Sequence, residues 1–266
     1  MKKIVLIAVV SILLATLCFS GWQVYKIWKE YRIGELTYES LEAYVVIQET
    51  TPKKKPQKEE TQPTEPEEQA LVWPEVDFDA LWEINPDVVG WLYIPGTQVN
   101  YPIMQGSDND EYIYRLITGE YNSSGSLFLE AGLSPDFSDQ NNPVYGHNMK
   151  NGSMLAGITG YKSQEFYEEH PVALLLTPTQ NYQVKIFSAY VQDANGDAWN
   201  TVFTASTLQE WLNKLVRRSY IATDVIPTSQ DRVLTLSTCT YETSNSRFLV
   251  HGILVPEETA IENTAD

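Results

Sequence analysis

Cysteine is nearly absent from this 266-residue chain, which has only Cys18 and Cys239. Histidine is almost as scarce, with His147, His170 and His251 making the full set. Basic residues are outnumbered, 18 Lys and Arg against 35 Asp and Glu, for a net charge of −17. That balance argues against a nucleic-acid partner, because the phosphates would be repelled. There is no internal repeat, glycine-rich phosphate loop or zinc-type Cys/His cluster, so the sequence gives no footing for nucleotide chemistry or a structural metal.

The long apolar run is N-terminal: Lys2 and Lys3 precede a stretch from Ile4 to Trp22. Roughly 20 such residues cross a bilayer. A cleaved signal peptide would have a shorter apolar core and a small-x-small site, which "ATLCFSGW" matches poorly. Residues 1–22 are therefore expected to form an uncleaved membrane anchor, with the rest of the chain extracytoplasmic. Leu17 stands where a lipoprotein signal wants a small residue before Cys18. An exported chain with an even cysteine count usually forms a disulfide, but a cysteine within the bilayer cannot meet Cys239. Cys239 is predicted to be a free thiol.

Residues 23–48 carry apolar positions at mixed helical spacing and predict one or two juxtamembrane helices interrupted by Gly34. Residues 49–70, "ETTPKKKPQKEETQPTEPEEQA", cannot bury a core and predict a disordered stalk that holds a domain off the membrane. Foldable sequence occupies residues 71–256, and an acidic tail follows at 257–266. "DFDALWEIN" reads as a short helix with Asp77 or Asp79 at its start. Eight β-like runs come next: "VVGWLYI", "YPIM", "GSLFLE", "NPVYGH", "VALLLT", "YQVKIFSAYV", "RVLTLSTC" and "RFLVHGILV". Between the sixth and seventh, Leu208, Trp211, Leu212 and Leu215 mark a helix over Thr207–Ser219 behind a Ser206/Thr207 cap. The expected fold is mainly β, an antiparallel barrel or sandwich with one helix inserted in a connection.

Strand alternation puts Thr235, Ser237 and Cys239 on one face and Leu234 and Leu236 on the other. "ETSNS" has turn composition, and a hairpin symmetric about Thr243 pairs Cys239 with Arg247. A guanidinium there favours the thiolate and offers several donors to an oxyanion. Acyl transfer by cysteine also needs a proton shuttle. His251 falls opposite Thr235, too far from the sulfur, and His170 in "EEHPVALL" reads as a solvated turn. His147 remains, at the end of "NPVYGH". Taken singly, a strand-end cysteine, a strand-opening arginine and a lone histidine each have ordinary structural explanations. Spacing alone leaves a reactive and an inert thiol both open.

"TLSTC" followed eight residues later by Arg247, with "YGHN" about ninety residues upstream, resembles the signature of a sortase. The order of "PIMQGSDNDEYIY", "GSLFLE", "VYGHNM", "FSAYV" and "TLSTCTYE…RFLVHG" is similar to class B sortases in particular, from about Val76 to Val255. The resemblance implies a closed eight-stranded β-barrel with N-terminal helices and a helix between strands six and seven. It also implies a membrane-anchored transpeptidase of Gram-positive bacteria that joins surface proteins to the cell wall. Cys239 would attack the Thr carbonyl of an LPxTG- or NPQTN-type sorting signal to give a thioester. His147 would protonate the leaving amine and accept a proton from a peptidoglycan amine, while Arg247 holds substrate and oxyanion. Asn109, Ile113, Tyr145 and Ser237 match substrate-groove positions of the family. No cofactor or metal is implied. Two other readings stay open: a cysteine endopeptidase with water as acceptor, and a non-catalytic barrel that binds a wall or peptide ligand.

Overall fold

The computed structural model describes residues 2–47, 72–243 and 245–257. The expected stalk, and the acidic tail beyond Glu257, lie outside the described residues. Helix α1 runs unbroken over Lys2–Leu41, so the interruption expected at Gly34 does not occur. Gly34 is buried instead, and a Cβ on it would stand 2.9 Å from Ser124 Oγ. The glycine marks close approach of helix to barrel rather than a helix break. The segment expected to be merely juxtamembrane is therefore partly built into the folded unit, with Tyr38 and Leu41 in the main core.

After a 3₁₀ turn at Glu42–Tyr44, strand β1 (Val45–Val46) pairs antiparallel with β2 (Glu75–Val76). The chain thus leaves and re-enters the fold at one ribbon, on either side of residues 49–70. Helix α2 (Phe78–Ile84) follows, capped by the Asp77 carboxylate, which accepts from Ala80 N at 3.0 Å.

Eight strands then close a barrel: β3 (Val88–Tyr93), β4 (Asn100–Met104), β5 (Leu127–Leu129), β6 (Asn141–Tyr145), β7 (Val172–Leu176), β8 (Tyr182–Asp193), β9 (Val233–Cys239) and β10 (Ser246–Pro256). Their order around the barrel is β10-β8-β7-β3-β4-β5-β6-β9. The barrel matches the eight apolar runs, but it is not wholly antiparallel. β4–β5 and β6–β9 are parallel pairs, joined by long crossovers rather than hairpins. Between β6 and β7 lie a 3₁₀ segment (Leu155–Lys162) and helix α3 (Gln164–Glu169), neither predicted by periodicity. His170 closes α3. Its Nδ1 lies 2.9 Å from Pro95 O and its ring 4.5 Å from that of Phe166, so it is packed rather than solvated as expected.

Trp91, Leu127, Val144, Leu236, Phe248 and Val250 fill the barrel. Helix α4 (Ala205–Arg218) sits between the sixth and seventh barrel strands and packs on the outer face of the sheet. Its cap is Thr204 in a reciprocal pair with Thr207, two residues earlier than expected. Leu208, Trp211, Leu212 and Leu215 form its buried face against Phe187, Tyr190, Val233 and Leu249. Each leucine contributes about 1.5–3 kcal/mol through the area it removes from water.

The polar face of β9 is thus covered rather than open. Asn141 Nδ2 donates to Ala198 O and Asn200 O, leaving its Oδ1 to accept from Thr235 Oγ1 at 2.6 Å. With its proton so used, Thr235 Oγ1 accepts from His251 Nδ1 at 2.9 Å. The imidazole is fully buried, stacked on Tyr190 at 5.4 Å and edge-on to Trp211 at 6.0 Å. Burial pushes its pKa down from the ordinary 6.5 to about 3; the charges of Asp197 and Arg218 act as smaller, opposed influences. The folded state keeps this ring neutral while the unfolded chain protonates it near 6.5. Stability is therefore full above that value and falls with pH down toward 3. By about pH 4.5 the loss from this group is on the order of a few kcal/mol. Denaturant titrations at pH 7 and pH 4.5 should show a smaller acid loss for His251→Gln than for the parent chain. An equal loss would assign the effect to other groups.

Candidate active site

Only the last residue of β9 escapes that cover: Cys239 is exposed and its thiol is free. Three neighbouring strands converge on it. Arg247 on β10 is its direct antiparallel partner, and His251 lies opposite Thr235, both as expected from the hairpin. On the other side, parallel β6 pairs Tyr145 with Ser237. His147 follows two residues past the end of β6. Gly146 N donates to Ser237 O at 3.2 Å and Thr238 Oγ1 to Gly146 O at 2.7 Å, which holds the start of that segment against β9. Adjacent strands lie about 4.8 Å apart, so Arg247 flanks Cys239 on one side, and on the other the segment that carries His147 reaches Cys239 O through Asn148 Nδ2.

The backbone around the thiol is fixed from both sides. Asn148 Nδ2 donates to Cys239 O at 2.9 Å, and Tyr241 OH donates to Asn148 O at 3.1 Å. Arg247 is half-buried, and Nη1 reaches its neighbour's carbonyl, Ser246 O, at 3.2 Å. Among the described residues no carboxylate lies within salt-bridge distance of it. Its other donors have no ion-pair partner among the described residues.

His147 is half-buried and held by the segment before β5. Nε2 lies 2.8 Å from Ile113 O, and the Tyr114 ring lies 5.5 Å from the imidazole. A carbonyl only accepts, so Nε2 carries the hydrogen and Nδ1 is left with the lone pair in the neutral ring. No hydrogen bond joins His147 to Cys239 among the described residues.

The four expected groove positions divide. Tyr145 OH donates to Glu130 Oε2 at 2.6 Å, and Asn109 Nδ2 donates to Glu130 Oε1 while its Oδ1 accepts from Ala131 N at 2.8 Å. Glu130 thus ties Asn109 and Tyr145 together, a role that nothing in the pattern marks beyond an acidic residue ending "GSLFLE". Burial, then the Glu130 carboxylate, raises the Tyr145 phenol well above its ordinary value, so it stays a donor. Ser237 is buried two residues before the thiol, and Ile113 meets the site through its backbone carbonyl. Asn148 and Tyr114 also went unmarked in the sequence, because they act through a backbone contact and a ring stack that spacing does not encode.

The family model of the sortase domain matches residues 92–255. The chain is 35% identical over 178 residues to sortase B of Listeria monocytogenes, covering 66% of this chain and 72% of that one. The chain belongs to the sortase family, class B. A Staphylococcus aureus sortase B–substrate complex superposes with a TM-score of 0.65 at 32% identity, covering 67% of this chain and 84% of that one. Sortase B from Bacillus anthracis superposes at 0.71 and 27% identity, over 87% and 100% of the two chains. The sortase match begins within β3 and ends within β10, so it encloses His147, Cys239 and Arg247 and leaves α1 outside. As a sortase, the chain is a cysteine transpeptidase with a mainly β, closed barrel.

Proposed function

We propose that this sortase cleaves a C-terminal sorting signal of the LPxTG or NPQTN type after Thr and joins the new terminus to a peptidoglycan amine. The observation that carries the reading is the exposed Cys239 thiol at the end of β9, with Arg247 paired to it on β10 and His147 on the segment that leaves neighbouring β6. The Cys239 thiolate adds to the Thr carbonyl, and the Arg247 guanidinium donates to the oxyanion. The C–N bond then breaks as His147 delivers its proton to the departing amine, leaving a thioester. An incoming amine attacks, His147 takes its proton, and the thiolate departs. Asn109 and Tyr145, locked by Glu130, and Ile113 and Ser237 form the floor that orients the signal peptide.

We further read Ile4–Trp22 of α1 as a single membrane span with the barrel outside the cell. By length and composition α1 is the one helix among the described residues able to cross a bilayer. The test is a pentapeptide library presented to the full-length protein in detergent micelles, with and without an amine acceptor. Amide-linked product with the amine, and a thioester adduct in its absence, are expected. Free acid alone, whatever the amine concentration, would make the enzyme an endopeptidase, and no cleavage of any peptide would leave a binding barrel.

A further inference from the structure

The last turns of α1 lie outside the matched sortase domain, yet one strip of them is fastened to the barrel. Glu30, Gly34 and Tyr38 recur every four residues and share a helix face. All three meet the turn 122–126. Asn122 Nδ2 donates to Glu30 O at 2.9 Å, and Ser123 N donates to the Glu30 carboxylate at 2.8 Å. Gly34 lets Ser124 approach the helix backbone. Tyr38 OH donates to Gly125 O at 2.6 Å and lies 2.8 Å from Ser126 Oγ.

That turn is the returning arm of a small hairpin. Ser126 N donates to Tyr112 O at 3.1 Å, Asn122 N donates to Tyr114 O at 2.9 Å, and Arg115 bridges to Tyr121. Gly125 has φ +57, and a Cβ there would overlap the Ile113 carbonyl oxygen. The turn thus lies close against that oxygen, the same one that accepts from His147 Nε2. The Tyr114 ring, next to Ile113, lies tilted against the imidazole. The path from helix to histidine is therefore three contacts long.

We propose that α1 is a positioning element for the catalytic step: Glu30, Gly34 and Tyr38 set the turn 122–126, which sets the Ile113 carbonyl that orients His147. This rests on the reading of His147 as the proton carrier. Fixing the hydrogen on Nε2 decides which ring nitrogen exchanges protons with substrate. A ring freed from it rotates and presents the wrong nitrogen part of the time. Docking of α1 would thus govern turnover without touching the substrate.

The experiment uses the full-length protein in detergent micelles. Tyr38→Phe removes both hydroxyl contacts and keeps the ring edge-on to Tyr101 at 5.3 Å. Glu30→Ala removes the acceptor for Ser123 N, and Glu30→Gln restores one. General acid–base catalysis contributes about 10²–10⁴-fold, and partial mispositioning should forfeit about tenfold of it. Tyr38→Phe and Glu30→Ala are expected to lower kcat by that amount with KM unchanged. Glu30→Gln should recover kcat. In the ¹⁵N spectrum of the imidazole, the His147 Nε2–H signal should exchange faster in the two impaired variants. If both variants lose thermal stability but keep kcat and the Nε2–H signal, α1 is structural support only and the proposal is overturned. His147→Ala separates the two readings: retained turnover there sinks the proton-carrier role itself, whereas a dead His147→Ala beside normal α1 variants sinks only the coupling.

Discussion

Alanine at position 239 is expected to abolish both cleavage of a sorting peptide and formation of a thioester adduct, a loss of about 10⁴-fold or more. The reason is chemical. Among the described residues this is the only thiol at the barrel, and the other cysteine lies on α1. The variant should fold as the parent does, because the side chain is exposed at a strand end and exposed substitutions usually shift stability by about 0.5 kcal/mol or less. Mass spectrometry of peptide products, with circular dichroism as the control for folding, makes the measurement. Turnover that survives in a folded variant would remove the transpeptidase mechanism from this site.

Arg247→Lys is the second large effect and the more discriminating one. Charge survives, but the planar fork of donors does not. Arg247 sits directly across the ladder from Cys239 with no carboxylate competing for it among the described residues. Donation to an oxyanion is a geometric matter, and loss of one such donor costs about 10²–10³-fold in kcat. The fall should appear in kcat more than in KM, since the oxyanion exists only in the transition state and intermediate. Near-normal kcat in the lysine variant would reduce Arg247 to a general positive charge beside the thiol.

Local pattern carried much of this architecture. Alternation in "VLTLSTC" and turn composition in "ETSNS" fixed the register of the last hairpin, so the pairing of Cys239 with Arg247, and of His251 with Thr235, was legible before any coordinates. Hydrophobic period likewise located α4 and the eight strands. What period cannot carry is contact between distant segments. The parallel pairing of β6 with β9 brings the segment that carries His147 beside the strand that carries the thiol, 92 residues on, and elimination had only singled out the residue. Glu130 joins Asn109 to Tyr145 through side-chain geometry that no spacing announces. Gly34 was misleading for a physical reason: helix propensity alone makes glycine a breaker, whereas tertiary packing here uses its missing side chain. The cover over the polar face of β9 was hidden for the same reason, since α4 was visible in the sequence but its docking face on the sheet was not.

The unbroken course of α1 has a bearing on reach. The apolar run ends at Trp22, and the first hydrogen bond from α1 to the barrel domain among the described residues is at Glu30, eight residues on. At 1.5 Å per residue that is about 12 Å of helix axis. If the run is seated in the bilayer as proposed, the barrel stands on a short stiff post and not on a leash. It cannot search outward for clients. Polypeptides would have to arrive with their signal already close to the lipid surface, as a chain still held by its own hydrophobic tail does, and the acceptor amine would have to come to the same shallow layer. Height above the membrane would then select substrates before any residue of the groove reads their sequence.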